Sequence, residues 1–177
     1  AGDNNDYPLM KKVLYNDILG EYFNTSTEMP NLVFIQVEGL GKAFVGENAP
    51  KGGFTPFLDS LSKHALHWEN FLSSAGRTFG ILPSLYGSLP YGTDGFMELG
   101  DKMPNHTSLI TMLKKQGYYT TFYYGGNANF DAQDVFLERQ GIDNIVSQND
   151  FPSSYTKMKE NSGGFTWGYG DKDVFKL

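Results

Sequence analysis

Four side chains sit where this sequence could do chemistry: Glu38, Arg77, Thr78 and Asn127. Glu38 ends a run of mostly apolar, β-favouring residues (32–37, LVFIQV) and is followed by Gly39 and, two residues on, Gly41. A carboxylate at the carboxyl end of a buried strand lies where open α/β sheets form their ligand crevice, and glycine lets the chain turn there without a Cβ penalty. Glu38 therefore reads as a metal- or substrate-binding carboxylate, or else as the acidic first residue of an ordinary turn. Thr78 follows the small-residue loop SSAGR (73–77) and opens the apolar segment TFGILPSLYGSLP. Its hydroxyl falls at a helix start, where peptide N–H groups and the dipole favour an anion. A bound divalent metal would acidify that hydroxyl into a nucleophile, and Arg77 beside it could pair with a phosphate. The alternative is that Thr78 only caps the helix. Asn127 ends a second glycine turn, Gly125-Gly126-Asn127.

The elements that must position these residues follow from periodicity. Residues 32–37 read as a central strand buried on both faces, and 118–124 (YYTTFYY) as the strongest β-forming run in the chain. Between them, Thr55-Pro56 opens a helix with Thr as cap and Pro in the first turn. Leu66–Leu72 alternates like a more exposed strand. Residues 105–117 (NHTSLITMLKKQG) have a polar start, lysines in the last turn and a terminal glycine, the signals of a helix with both ends marked. Residues 7–23 and 130–140 have helical spacing, 142–146 suits a short strand, and Asp171 looks like the cap of a final helix. Strands alternating with helices predict a largely parallel sheet with right-handed crossovers, whose carboxyl ends would bring the three loops to one edge.

Composition narrows the chemistry. Cysteine is absent from the 177 residues, so disulfides, thiol nucleophiles and thiolate zinc sites are excluded together. The formal charge of −6 without a basic block argues against nucleic acid. Aromatics at 15% suit both a packed core and clefts that meet sugars. His64, His67 and His106 lack metal-ligand spacing and read as structural or solvated. Asn24 and Asn105 fit the glycosylation pattern, a short motif that recurs by chance. No run approaches the ~18 consecutive apolar residues of a membrane span.

Taken together, NLVFIQVEGLG, TPFLDSL, the Gly-Arg-Thr loop and YGGNANFD resemble the lipoteichoic acid synthase branch of the alkaline phosphatase/sulfatase superfamily. The likeness runs from about residue 31 to residue 175 and extends to WGYGDKDVF near the end. The resemblance implies an alkaline phosphatase-like α/β/α sandwich with a mostly parallel sheet, of which this chain would be the N-terminal half. It implies a boundary after residue 30, with an N-terminal helix and linker before it and the catalytic domain over 31–177. Glu38 matches the family's first metal ligand, and Thr78 matches its nucleophile, which also coordinates the metal, Mn²⁺ or Mg²⁺. Arg77 lies where some members carry lysine, and Asn127 falls in the loop that holds substrate contacts. Members transfer glycerol phosphate or related phospho-headgroups through a covalent threonine intermediate.

The sequence also departs from that pattern. The remaining metal ligands of the family are an Asp-His pair, and no Asp-His dipeptide occurs here. One carboxylate and one threonine are too few ligands for a tight Mn²⁺ or Mg²⁺ site, so this chain alone is expected to be inactive. The membrane helices that precede the family's catalytic domain are missing as well. The expectation is a cell-envelope, extracytoplasmic domain of a membrane protein, acting on a phospholipid or glycan headgroup, with self-association possible through uncovered surface. A sulfatase proper would need a Cys- or Ser-x-Pro-x-Arg motif, and neither Ser84 nor Ser88 has that context. A third reading is a binding module for headgroups or carbohydrate without catalysis.

Overall fold

The tyrosine-rich run 118–124 becomes the sheet's first strand. In the computed structural model, which describes residues 16–23, 26–73, 75, 80–89 and 96–177, β1 is Thr121–Tyr123. It pairs in parallel with β2, Asn144–Val146, in the register Thr121↔Asn144, Phe122↔Ile145 and Tyr123↔Val146. A parallel pair needs a crossover, and a helix supplies it. Earlier in the chain come α1, Pro56–Ser62, and α2, Leu109–Lys115. The crossover helix is α3, Gln133–Arg139, and α4, Asp171–Val174, ends the chain. The described residues gather into two compact units, one within 13–73 and the other within 74–177.

The core of the second unit forms around α3. Adjacent Phe136 and Leu137 are almost completely buried and pack with Leu82, Met103 and Ile110. Phe122 of β1 and Ile145 of β2 lie against this cluster, so the sheet is glued to the helix layer through one face. The π-helical turn Leu82–Tyr86, which follows the Thr78 loop in sequence, contributes Leu82 and Pro83 to the interior. Ser108 starts α2 with a complete capping box: its Oγ accepts the Thr111 amide at 3.1 Å, and Thr111 Oγ1 accepts the Ser108 amide at 2.8 Å. Asp171 is the first residue of α4, with Gly170 in the cap position.

The first unit is organised by Asp59 on α1. Its Oδ1 accepts the Gly46 amide at 2.9 Å and the Thr55 hydroxyl at 3.0 Å, which ties the loop after Glu38 to the helix. Thr55 thus stabilises the helix start through Asp59 and not by bonding a backbone amide.

Several expectations need correction. Residues 32–37 are not a strand in the structure, and their apolar side chains are exposed, Val33 by 81%. A strand buried on both faces needs neighbours and a layer above and below. The described elements of the 13–73 unit are two 3-10 turns and α1, which supply neither. Residues 66–72 likewise form no strand and are exposed. Of the helix expected over 7–23, residues 1–15 lie outside the described residues, and the rest holds a single 3-10 turn, Gly20–Tyr22.

Candidate functional site

Each predicted site residue has a distinct standing. Glu38 is exposed and lies in a turn with Gly39, whose φ of +69° is the left-handed conformation that glycine adopts without strain. The glycine after the carboxylate is therefore required by the backbone. Arg77 and Thr78 lie outside the described residues. Asn127 is exposed in the turn at the carboxyl end of β1, where its Oδ1 accepts the Asn129 amide at 3.0 Å. Glu38 belongs to the first unit and Asn127 to the second.

The Asn127 turn is clamped from two sides. The Tyr124 amide donates to Val146 O at 2.8 Å, and the Gln148 amide donates to Gly126 O at 2.9 Å, which continues the β2 pairing into the turn. From the opposite side the Tyr169 amide donates to Gly125 O at 2.8 Å. The two backbones approach so closely that a Cβ at Gly168 would sit 2.0 Å from Gly125 O, and one at Gly125 would sit 2.2 Å from Tyr169 O. Only glycine fits at either crossing. The YGGN and WGYG segments, singled out separately in the sequence, are thus two halves of one packed junction. Phe151 stacks on Tyr169 at 4.1 Å and backs it. Just past the turn, Asp131 and Ala132 both have positive φ, +53° and +55°, and redirect the chain into α3.

At the opposite end of the ladder, Asp143 accepts from Lys114 Nζ and from the Thr120 amide and hydroxyl, the latter two at 2.8 and 2.9 Å. These donors, Lys114 first, hold its carboxyl at about 2. This is a structural clasp that the sequence reading passed over. An acid just before a short β run was its only sequence signal, since its lysine lies 29 residues earlier, in the last turn of α2. His106 is buried with Nδ1 on Pro104 O at 3.0 Å, and its ring stacks on Phe136 at 6.0 Å, in keeping with a structural role. His64 and His67 are exposed.

Among the described residues no three His, Cys, Asp or Glu side chains form a metal-holding cluster. Glu38 contributes one carboxylate, and the ligand set described here does not fit a Mn²⁺ or Mg²⁺ ion by itself.

A family model described as Sulfatase matches residues 30–177. The chain belongs to the sulfatase family. Among curated relatives, this sulfatase-family chain is 27% identical over 150 residues to phosphoglycerol transferase I of Salmonella choleraesuis (strain SC-B67). That match covers 81% of this chain and 19% of the relative. It is 26% identical over 175 residues to phosphoglycerol transferase I of Xanthomonas campestris pv. campestris, covering 93% of this chain and 24% of that one. The crystal structure of a protein in the alkaline phosphatase superfamily from Vibrio parahaemolyticus superposes with a TM-score of 0.62 at 27% identity. That likeness covers 77% of this chain and 32% of the solved one. The chain therefore spans a quarter or less of these curated relatives, and its fold is part of the α/β architecture of the alkaline phosphatase superfamily. The expected membership of that superfamily, on its lipoteichoic acid synthase-like side, holds.

Proposed function

We propose that this chain is part of an enzyme that transfers a phospho-headgroup from a lipid through a covalent threonine intermediate at Thr78. The observation that carries the reading is the family match across 30–177 joined to relatives that are phosphoglycerol transferases, with Thr78 standing in the Gly-Arg-Thr loop. In the first step the Thr78 oxygen forms a bond to phosphorus as the lipid's oxygen leaves, and the threonine proton ends on that leaving group. In the second step an acceptor hydroxyl, or water, takes the headgroup and restores the threonine. Arg77 pairs with the phosphoryl oxygens, and Asn127 donates to the headgroup from its clamped turn. Glu38 and Thr78 are each proposed as a metal ligand, for Mn²⁺ or Mg²⁺. The enzyme would work outside the cytoplasm on a membrane donor; no helix among the described residues is long and apolar enough to cross a membrane.

The test offers the full-length protein phosphatidylglycerol and p-nitrophenyl sulfate in parallel. Diacylglycerol release from the first, without nitrophenol from the second, supports headgroup transfer. The opposite pattern supports a sulfate-ester hydrolase and removes the proposal.

A further inference from the structure

The π-helical turn Leu82–Tyr86 begins four residues after Thr78, and the transfer step as written does not use it. Such a turn closes its bonds over five residues instead of four, is rare, and occurs mostly at functional sites. Pro83 lies in its first turn and has no N–H, so that position donates no helical bond. Its carbonyl accepts twice, from the Gly87 amide and from the Leu89 amide at 3.0 Å. Between those two donors Ser88 has a φ of +52°, a left-handed conformation that a residue with a side chain adopts at a cost. Strain of this kind persists where the surroundings over-determine it. Here the surroundings are the core, since Leu82, Pro83, Gly87 and Leu89 are all buried.

His106 meets the end of this turn. A carbonyl oxygen only accepts, so the Nδ1 that lies 3.0 Å from Pro104 O carries the proton and donates it. The ring stacks on Phe136, which is completely buried. The other nitrogen, Nε2, is buried with no hydrogen-bond partner among the described residues. It faces Gly87, where a Cβ would sit 3.3 Å from Nε2 and 3.3 Å from Leu89 Cδ1. A buried polar atom without a partner weakens a fold, so an apolar side chain of similar size would serve the core at least as well. What histidine adds is a flat ring, pinned at one nitrogen, whose far edge meets the backbone at Gly87.

We propose that His106 is a positioning residue for the nucleophile. Pinned on Pro104 and Phe136, its ring edge holds Gly87 and the π turn, and so sets where the segment opened by Thr78 stands. This role rests on the reading of Thr78 as nucleophile, because only then does the placement of that segment govern a rate. A displacement of about 1 Å at a reacting group lowers a rate by up to about a hundredfold. The loss falls on kcat, because His106 is buried and meets no substrate.

The test uses the full-length protein with phosphatidylglycerol as donor. His106→Leu should fold, lower kcat about tenfold and leave KM unchanged. His106→Gln, whose planar amide reaches the place of Nε2, should recover part of the loss. Ser108→Ala, which weakens the start of α2 by removing its cap, should lower Tm and leave kcat unchanged, and so separates stability from placement. Gly87→Ala presses a methyl group toward Nε2 and should lower kcat; the drop should shrink in the His106→Ala background, a coupling expected only of groups in contact. Amide exchange in the same full-length protein reads placement without turnover. In His106→Leu the Gly87 and Leu89 amides should exchange faster, while the Tyr124 amide in the sheet keeps its protection. Unchanged kcat in His106→Leu overturns the proposal, as does an equal fall in Ser108→Ala or unaltered exchange at Gly87 and Leu89. Any of these in a protein that still releases diacylglycerol discards the positioning role alone. A full-length protein that releases none discards the transfer reading and the positioning role with it.

Discussion

Lys114 and the amide and hydroxyl of Thr120 hold the Asp143 carboxyl at about 2, against 3.8 for a free aspartate. A group whose folded value is depressed stabilises the fold above its unfolded value and loses that contribution as pH falls through the folded one. The clasp should therefore be intact above pH 3.8 and disappear on acidification to about 2. Thermal melts across that window should show a fall in Tm that Asp143→Asn flattens. An equal fall in both proteins would assign it to other carboxylates. Thr78 is the residue on which the proposed chemistry turns. Thr78→Ala in the full-length protein should abolish headgroup transfer while costing the fold only about 1 kcal/mol, the value of a lost cap. Thr78→Ser should keep part of the activity because it keeps the hydroxyl. Glu38→Gln should lower metal affinity and activity together, and added Mn²⁺ should partly restore the activity; titration calorimetry alongside a rate assay reads both. Residue types at turns were the most legible part of the candidate site. The glycine after Glu38 and the glycines before Asn127 announce backbone needs that the structure displays at φ +69° and at the crossing with Gly168.

At the scale of elements, helices with end signals were legible because capping is local. The polar start and basic finish of 105–117 became α2 with its capping box, four residues inside the expected span at the start. Ser108→Ala should cost about 1 kcal/mol, measured by urea denaturation, since it removes the Oγ that accepts the Thr111 amide. Strand pairing was less legible because it depends on a distant partner. YYTTFYY found β2 and became a strand over three of its residues, whereas the apolar run 32–37 is not a strand in the structure. The junction of YGGN with WGYG was invisible for the same reason: two glycine-bearing loops some forty residues apart give no hint that their backbones cross. Gly168→Ala forces a Cβ to 2.0 Å from Gly125 O and acts at a φ of +93°. It should destabilise the turn by more than about 1 kcal/mol and speed exchange of the Tyr169 and Gln148 amides, while the Thr111 amide in α2 keeps its protection. Unchanged exchange at Tyr169 would remove the junction from the account.

At the scale of the whole molecule, the 74–177 unit has a buried core, and the 13–73 unit presents Val33, Phe71 and Leu72 at 78–87% exposure. Exposed apolar surface of this kind promotes association. The isolated chain should show a concentration-dependent sedimentation coefficient that Val33→Lys with Leu72→Lys reduces; an ideal monomer at all concentrations would contradict this. Family membership was legible because it is carried by several short motifs spread over 30–177, each weak and jointly specific. The identity of the headgroup and the complete ligand set were not, since both depend on side chains brought together by the whole fold. The central claim is a covalent intermediate, and one measurement meets it directly. Full-length protein is mixed with phosphatidylglycerol labelled in its headgroup, quenched in acid, digested and read by tandem mass spectrometry. The account predicts a glycerophosphoryl group on the peptide containing Thr78, localised to that residue and absent from the Thr78→Ala variant. Brisk turnover by the Thr78→Ala variant, with the label on no residue or on another one, would contradict it.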